Sequence, residues 1–399
     1  MATLTLIGEP FPDREAAAHA EATVELTRAV ALAAPRGCSA RLLVAADRPA
    51  PVFDTPRAVT ERLPLNASIL PMLWRTGVTA RPLDGEFVHA STPLVALRAR
   101  GEDDGSQSSV MVPHALGWLA PEAMGAATAR QYRAFVKRAV KHADVVLTPT
   151  HATAKAVQDR YGSHITVQVL PLAAPAAYRE PADAAARRTA LGLPGRYLVT
   201  TALPGEHDRL EWLVEAALAD PSLPPVVVLH TDVPLEQNAE ADASGEATEP
   251  QEKLASEGEN AAAKHGEAET DPLIARAGNR VRVVRPNELA DVGAVLAGAE
   301  LLALPQPLIG AGFEVLGALT AGVPVLHGGC ESAAELTLDA GIAAESAERF
   351  AAELARLSGG PQGGDAQERT RLGVLAQDRS RGFTWAGAAM SLWELHANI

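Results

Sequence analysis

The chain has 399 residues, of which 47% are hydrophobic and only 4% aromatic, and its formal net charge is −14. This length exceeds one ordinary core and predicts two domains of roughly 150 to 200 residues each. The acidic balance excludes a general nucleic-acid binder, since neutralising phosphates requires clustered Lys and Arg. Two distant cysteines, Cys38 and Cys330, suit neither a disulfide framework nor a zinc site, so we expect buried thiols in a cytoplasmic protein.

The first half of the chain alternates strands with helices. Apolar, β-branched runs predict strands at 3–7, 40–45, 86–89, 109–112, 144–148 and 166–170. Helical periodicity predicts helices at 15–32, 126–142 and 150–157, the last with Thr150 as its N-cap. The N-terminus has no basic start or long apolar run, and no segment reaches the roughly 20 apolar residues that cross a bilayer. We therefore expect a protein that is neither secreted nor membrane-spanning.

A second alternating series follows an Ala- and Pro-rich stretch at 173–183, which is typical of an interdomain linker. Strands are predicted at 197–201, 225–230, 280–284, 300–304 and 323–327. Helices are predicted at 187–191, 210–219, 289–296, 313–321, 333–338, 346–357, 368–376 and 384–396.

Residues 232–272 interrupt this series with a segment of low complexity. The stretch from 232 to 271 contains 12 acidic residues and two lysines, which gives a net charge of −10. Such a composition cannot bury enough apolar area to offset the entropy of ordering it, so we interpret it as a disordered surface insertion. An acidic docking segment for a basic partner is the alternative.

Two such series predict an α/β protein with two doubly wound domains. We place the first domain at 1–180 and the second at 181–383, and expect a final helix at 384–399 to pack back on the first domain. Ligands of doubly wound sheets bind at the carboxyl ends of the strands, here in the cleft between the domains.

Several motifs, in the right order, carry a resemblance. They are VKHADVVLTPTHATAKAV at 140–157, YLVTT at 197–201, GFEVLGALTAGVPVLHGGCESAAEL at 312–336 and FTWAGAAMSLWELH at 383–396. Together they resemble the GT-B glycosyltransferases of the family-4 type, which are retaining enzymes. The resemblance implies two Rossmann-like domains facing across a cleft, a nucleotide-sugar donor such as a UDP- or GDP-sugar, and no metal. It also implies a glycan or lipid-linked acceptor in cell-envelope polysaccharide synthesis.

The donor residues of that family are largely missing. The family holds the donor diphosphate with an Arg and a Lys after the first strand of the second domain, and Leu203 and Asp208 stand in those positions. An Asp would repel a diphosphate, whereas Arg209 or His207 could replace the lost cation if the loop is shifted.

The paired family glutamates, one near the sugar and one on the ribose, align with Ile309 and Gly317. Gly310 and Gly312 remain as glycines that allow close backbone approach before a helix N-terminus. Glu314 is either a relocated acid or a favourable partner of the helix dipole.

First-domain site elements are also altered. His114 matches the family's His beside the sugar and acceptor, and is either a catalytic or a packing residue. His89 shares that ambiguity, and Glu335 matches an acid that we interpret as structural. The Gly-rich loop after the first strand is replaced by GEPFPDRE at 8–15, which offers few backbone N–H groups and adds acidic charge.

Three hypotheses follow for function. The chain is an active glycosyltransferase with an altered donor site, a non-catalytic partner or scaffold of an active glycosyltransferase, or a binding protein for another small polar ligand. Lost donor residues favour reduced or absent catalysis. Basic residues on the helix at 126–142 are a solvated face or a peripheral contact with the inner membrane surface; they are Arg130, Arg133, Lys137, Arg138 and Lys141.

Overall fold

The computed structural model describes residues 2–77, 87–99, 105–235, 271–358 and 364–399. The predicted insertion falls outside these ranges for residues 236–270, as does Glu86 at the start of a predicted strand. Among the described residues, no helix combines the length and the apolar character needed to cross a membrane.

The first domain is built on a parallel sheet of seven strands in the order β3-β2-β1-β4-β5-β6-β7. The strands are β1 Thr3–Ile7, β2 Ser39–Val44, β3 Ala58–Arg62, β4 Phe87–Ala90, β5 Gln107–Met111, β6 Val145–Thr148 and β7 Val167–Val169. The helices are α1 Ala16–Ala33, α2 Leu70–Trp74, α3 Leu116–Leu119, α4 Pro121–Met124, α5 Ala126–His142 and α6 His151–Tyr161. The sheet order reverses direction beside β1, which places the loop after β1 at the topological switch point.

The second domain repeats this design with six parallel strands in the order β10-β9-β8-β11-β12-β13. The strands are β8 Leu198–Thr200, β9 Val226–Leu229, β10 Val281–Val284, β11 Leu301–Leu304, β12 Val325–His327 and β13 Gly341–Ala343. The helices are α7 Ala184–Ala190, α8 Leu210–Ala219, α9 Pro272–Ala277, α10 Leu289–Gly298, α11 Phe313–Ala321, α12 Glu331–Thr337, α13 Ala347–Ser358 and α14 Ala366–Ser380. Here the loops after β8 and β11 flank the switch point.

Central and edge strands differ in burial as their sequences dictate. Strands β9 and β11 (VVVL and LLAL) are buried at every residue, because helices cover both faces of a parallel sheet. The edge strands β3, β7 and β13 are only partly buried, and β3 and β7 also contain polar residues. Cys330 is buried, and burial raises the pKa of its thiol to about 11, whereas the other expected buried thiol, Cys38, is only partly buried.

The C-terminal helix α15, Trp385–Asn398, lies on the first domain. The indole Nε1 of Trp393 donates a hydrogen bond to the Val30 carbonyl in α1 at 2.9 Å. His396 lies 3.1 Å, Nε2 to Oγ, from Ser109 in β5. The helix therefore crosses from the second domain back to the first.

The Ala- and Pro-rich stretch at 173–183, predicted as an interdomain linker, packs against both domains. Its amides at Ala176 and Ala177 donate to the Glu25 and Glu21 carboxylates at 2.9 Å. Tyr178 is 1% exposed, with its ring centroid 6.3 Å from that of Phe313. Burial of this aromatic residue fixes the connection against α11.

Candidate functional site

The loop after β1 is anchored inside the first domain at its beginning. The Glu9 carboxylate accepts a hydrogen bond from the Ala45 amide at 3.0 Å and lies 3.3 Å from the Arg48 guanidinium. Burial raises the pKa of Glu9 despite these partners. The Phe11 ring packs edge-on against Tyr132 with centroids 5.1 Å apart. These contacts fix the position from which residues 13–15 extend.

Those three residues, Asp13, Arg14 and Glu15, lie in the cleft between the domains. The Arg14 guanidinium donates to the Thr201 carbonyl at 2.9 Å and lies 3.9 Å from the Asp208 carboxylate. The Glu15 carboxylate accepts a hydrogen bond from the Ala311 amide at 2.8 Å. The sequence pattern identified the loop as acidic, but its direct contacts with the second domain become visible only in the structure.

His114 lies beyond the carboxyl end of β5 and is 3% exposed. Its Nε2 is 3.4 Å from the Asp13 carboxylate, and its ring stacks on Tyr132 with centroids 4.6 Å apart. Burial would raise the pKa of Asp13, but the hydrogen bond and charge of His114 lower it overall. The Nδ1 atom of His114 has no hydrogen-bond partner in the structure. The predicted site histidine is thus in the cleft, held by a carboxylate, with one nitrogen unused.

Gly310 and Gly312 lie in the loop between β11 and α11. A Cβ on Gly310 would fall 2.0 Å from the nearer Glu15 carboxylate oxygen, so only glycine admits that carboxylate. Gly312 has φ +84°, which glycine adopts without strain, and it is the N-cap residue of α11. Gly310 therefore allows close approach of a group that belongs to the protein itself, whereas Gly312 is required for its left-handed backbone.

Glu314, in the first turn of α11, is buried beside the same contact. Burial, followed by the nearby charge of Glu15, raises its pKa to about 7. This pKa leaves the Glu314 carboxyl partly protonated at neutral pH. Two carboxyl groups therefore share the region where the resemblance implies a donor diphosphate.

The loop after β8 carries the predicted cation positions. The Asp208 carboxylate accepts a hydrogen bond from the Leu203 amide at 2.8 Å, which closes the loop on itself. Arg209 has φ 53°, donates to the Gly328 carbonyl at 3.2 Å, and stacks over Trp212 at 4.9 Å. The Nδ1 atom of His207 lies 4.0 Å from the Glu122 carboxylate of the first domain. Both candidate replacement cations therefore have protein partners.

Gly317, aligned with the ribose glutamate, is closed in by neighbours. A Cβ there would meet the Leu296 side chain at 3.0 Å and Tyr178 at 3.3 Å. Ile309, aligned with the other glutamate, is 6% exposed. Gly317 is therefore surrounded by apolar side chains, and Ile309 is itself buried.

Three other residues from the sequence analysis hold structure together. Thr150 caps α6 by accepting from the Thr153 amide. Glu335 accepts from the amides of His151 and Ala152 at 2.9 and 3.2 Å, so it caps the same helix from the other domain. His89 is fully buried and lies 3.0 Å, Nδ1 to Oγ, from Ser109, away from the cleft.

In the part of the chain that the structure describes, no group of three or more His, Cys, Asp or Glu side chains could hold a metal ion.

Known structures resemble the whole chain. Sucrose-phosphate synthase from Thermosynechococcus elongatus has a TM-score of 0.63 at 17% identity, covering 100% of this chain and 98% of its own. Anabaena HepE in complex with UDP and glucose has a TM-score of 0.61 at 15% identity, and covers 100% of both chains. WaaG, a glycosyltransferase involved in lipopolysaccharide biosynthesis, has a TM-score of 0.56 at 15% identity, again with 100% of both chains.

Neither a protein-family model nor a curated protein sequence matches the chain. At these identities the likeness shows the fold alone. The two parallel sheets and the full coverage show that the chain has the GT-B fold, which confirms the fold expected from the sequence.

Proposed function

We propose that this protein is of the glycosyltransferase type, with its nucleotide-sugar-dependent transfer weakened or lost. Support for the glycosyltransferase type comes from the fold neighbours, which include HepE solved with UDP and with UDP-glucose. Fold alone does not supply chemistry, so the rest of the proposal depends on the cleft.

The observation that carries the proposal is the Asp208 carboxylate in the loop after β8. A nucleotide-sugar donor needs cations against its diphosphate, where negative charge grows as the sugar leaves. Asp208 stands in that loop instead, and Arg14, whose guanidinium lies 3.9 Å from it, is shared with the Thr201 carbonyl. A phosphate placed about 4 Å from that carboxylate would be repelled by at most about 4 kcal/mol at the effective dielectric of a protein surface, which lowers affinity by up to about a thousandfold.

Glycan synthesis at the cell envelope is the setting that we propose. It is supported by the likeness to WaaG and by the family resemblance of the motifs. The basic face of α5 is a weaker anchor than its sequence suggests, because Arg133 donates to the Gly117 carbonyl and Arg138 to the Leu97 carbonyl. Arg130, Lys137 and Lys141 remain exposed for peripheral contact with anionic lipid.

A partner or scaffold role for an active glycosyltransferase is the second candidate. It is supported by Gly317, which the resemblance aligns with the ribose glutamate and which lies against the apolar side chains of Leu296 and Tyr178. Such a role requires the GT-B surface but no donor binding.

Nucleotide release tests the proposal directly. The purified protein is incubated with UDP-glucose or GDP-mannose, with and without oligosaccharide acceptors, and free UDP or GDP is measured by a coupled enzyme assay. The proposal predicts release within about twofold of a protein-free control. Turnover at roughly 1 per second or faster, the range of ordinary enzymes, would refute it.

A further inference from the structure

The Glu15 side chain does not cap the helix at whose N-terminus it lies. It is the N-cap residue of α1, yet its side chain makes no capping hydrogen bond there. Its carboxylate instead accepts the Ala311 amide of the second domain, 296 residues away in sequence. Gly310 beside it has no side chain, and any Cβ would overlap the carboxylate. The second domain thus offers both the space and the amide that the Glu15 carboxylate of the first domain occupies.

The contact has the chemistry of an anion site. Ala311 lies in the short loop just before α11, a helix of nine residues, and the N-terminal end of a helix attracts negative charge. Glu15 is 6% exposed, and its hydrogen bond from an amide is charge-assisted. Arg14, next to it in sequence, reaches the Thr201 carbonyl of the same domain. One loop therefore supplies both an anion and a cation to the second domain.

We propose that Glu15 is a built-in anion that occupies the phosphate position of the second domain and thereby holds the interdomain cleft closed. This inference rests on the proposed function, because it takes the loop before α11 as the place where a donor phosphate would bind. A phosphate can enter only by displacing Glu15, which is attached to the same chain and so competes at high effective concentration. The closed cleft is then an autoinhibitory contact that is released when Glu15 leaves.

The surroundings of Glu15 agree with this role. The buried Nε2 of His19 is 3.7 Å from the Glu15 carboxylate and has no hydrogen-bond partner in the structure. The charge of Glu15 contributes to the raised pKa of nearby Glu314, so the Glu15 carboxylate also disfavours a second negative charge at this loop. A phosphate arriving with Glu15 in place would meet both carboxyl groups.

Hydrogen exchange of the free protein tests the closed contact. In Glu15→Ala the amides of 309–316 should exchange about tenfold faster or more, since a hydrogen bond to a charged group is lost. Glu25→Ala is the matched control, because Glu25 lies in the same helix and accepts the Ala176 amide outside the cleft. It should leave exchange at 309–316 unchanged. Equal exchange of this segment in wild type and Glu15→Ala would overturn the proposal.

Inorganic pyrophosphate tests the anion position. Both arms carry Asp208→Lys, which removes the other repelling carboxylate, and in that background Glu15→Ala should lower the Kd for pyrophosphate at least tenfold. Equal affinity with and without Glu15→Ala would contradict the assignment of a phosphate position. Neither readout involves a nucleotide-sugar, so the result is independent of whether the protein turns one over.

A second variant, Gly310→Ala, perturbs the same contact from the other domain, and a double-mutant cycle relates the two variants. Gly310 is not in the left-handed region, so alanine is compatible with its backbone, while the added methyl must displace the Glu15 carboxylate. Gly310→Ala should speed exchange at 309–316 about tenfold in the wild type, and less than about twofold in the Glu15→Ala background. The same effect in both backgrounds would refute the contact as the element that closes the cleft.

Discussion

Replacing His89 and His396 with Asn should make the stability of the protein less sensitive to acid. Both imidazoles are buried and lie on either side of the Ser109 hydroxyl, at 3.0 and 3.1 Å. Burial, followed by the charge of His396, lowers the pKa of His89 from 6.5 to about 3. Burial lowers the pKa of His396 to about 4, against an opposing effect of Asp144. The two histidines are therefore neutral in the folded protein, where they join α15 to the first sheet.

The sign and the magnitude follow from proton linkage. Below pH 6.5 the unfolded chain binds protons that the folded protein excludes, so stability is complete above pH 6.5 and falls as the pH drops toward the folded values. At pH 5 each imidazole costs about 2 kcal/mol, and the pair costs about 4 kcal/mol. Glu314 acts in the opposite sense because its pKa is raised, so the difference between two proteins is the quantity to measure.

Urea unfolding, followed by circular dichroism at pH 7.5 and at pH 5, gives that difference. The wild type should lose about 4 kcal/mol more than the His89→Asn/His396→Asn variant over this range. His164→Asn is the control, because His164 is exposed. Equal pH dependence in the wild type and the double variant would refute the reasoning that these imidazoles are buried and neutral.

Three further predictions concern the cleft. Gly317→Glu introduces the carboxylate that the family has at the ribose. It should destabilise the protein by about 3 kcal/mol in urea unfolding, because the new side chain must enter an apolar space against Tyr178. A stable variant that binds UDP would contradict the closed ribose position. Glu335→Ala should cost about 1 kcal/mol of stability through the lost cap on α6, and a change below about 0.3 kcal/mol would show that this cap is not stabilising. Asp208→Lys combined with Glu15→Ala should bind UDP about tenfold more tightly than the Asp208→Lys variant in calorimetry, and equal affinity of the two variants would show that Glu15 does not compete for the phosphate position.

The elements that the sequence predicted best are those whose burial makes their pattern unambiguous. Strand β1 and the helices α5, α8 and α11 have the predicted bounds, because apolar residues recur with a clear period between polar or Gly boundaries. The edge strands β3 and β13 were not predicted, since one side of each is open and their residues are only partly buried. Incomplete burial therefore weakens the pattern but does not always remove it, since the half-exposed edge strand β7 was predicted.

The candidate site was predictable in composition but not in geometry. The order of the motifs was enough to predict that Leu203 and Asp208 stand where the resemblance implies cations. The contact between Glu15 and Ala311 depends on how two domains meet, and no periodicity relates residues 296 apart. For His89, a strand-end motif suggested a site residue, whereas the structure places its ring beside α15 and Ser109.

The central claim is that binding and transfer of a nucleotide-sugar donor in this cleft are weakened or lost. Isothermal titration calorimetry of the wild type with UDP, GDP, ADP, UDP-glucose and GDP-mannose tests it most directly. The account predicts no heat of binding with any of them at about 1 mM ligand. Micromolar affinity for one of these ligands would contradict it, and would show that Asp208 and Glu15 move aside when a diphosphate enters.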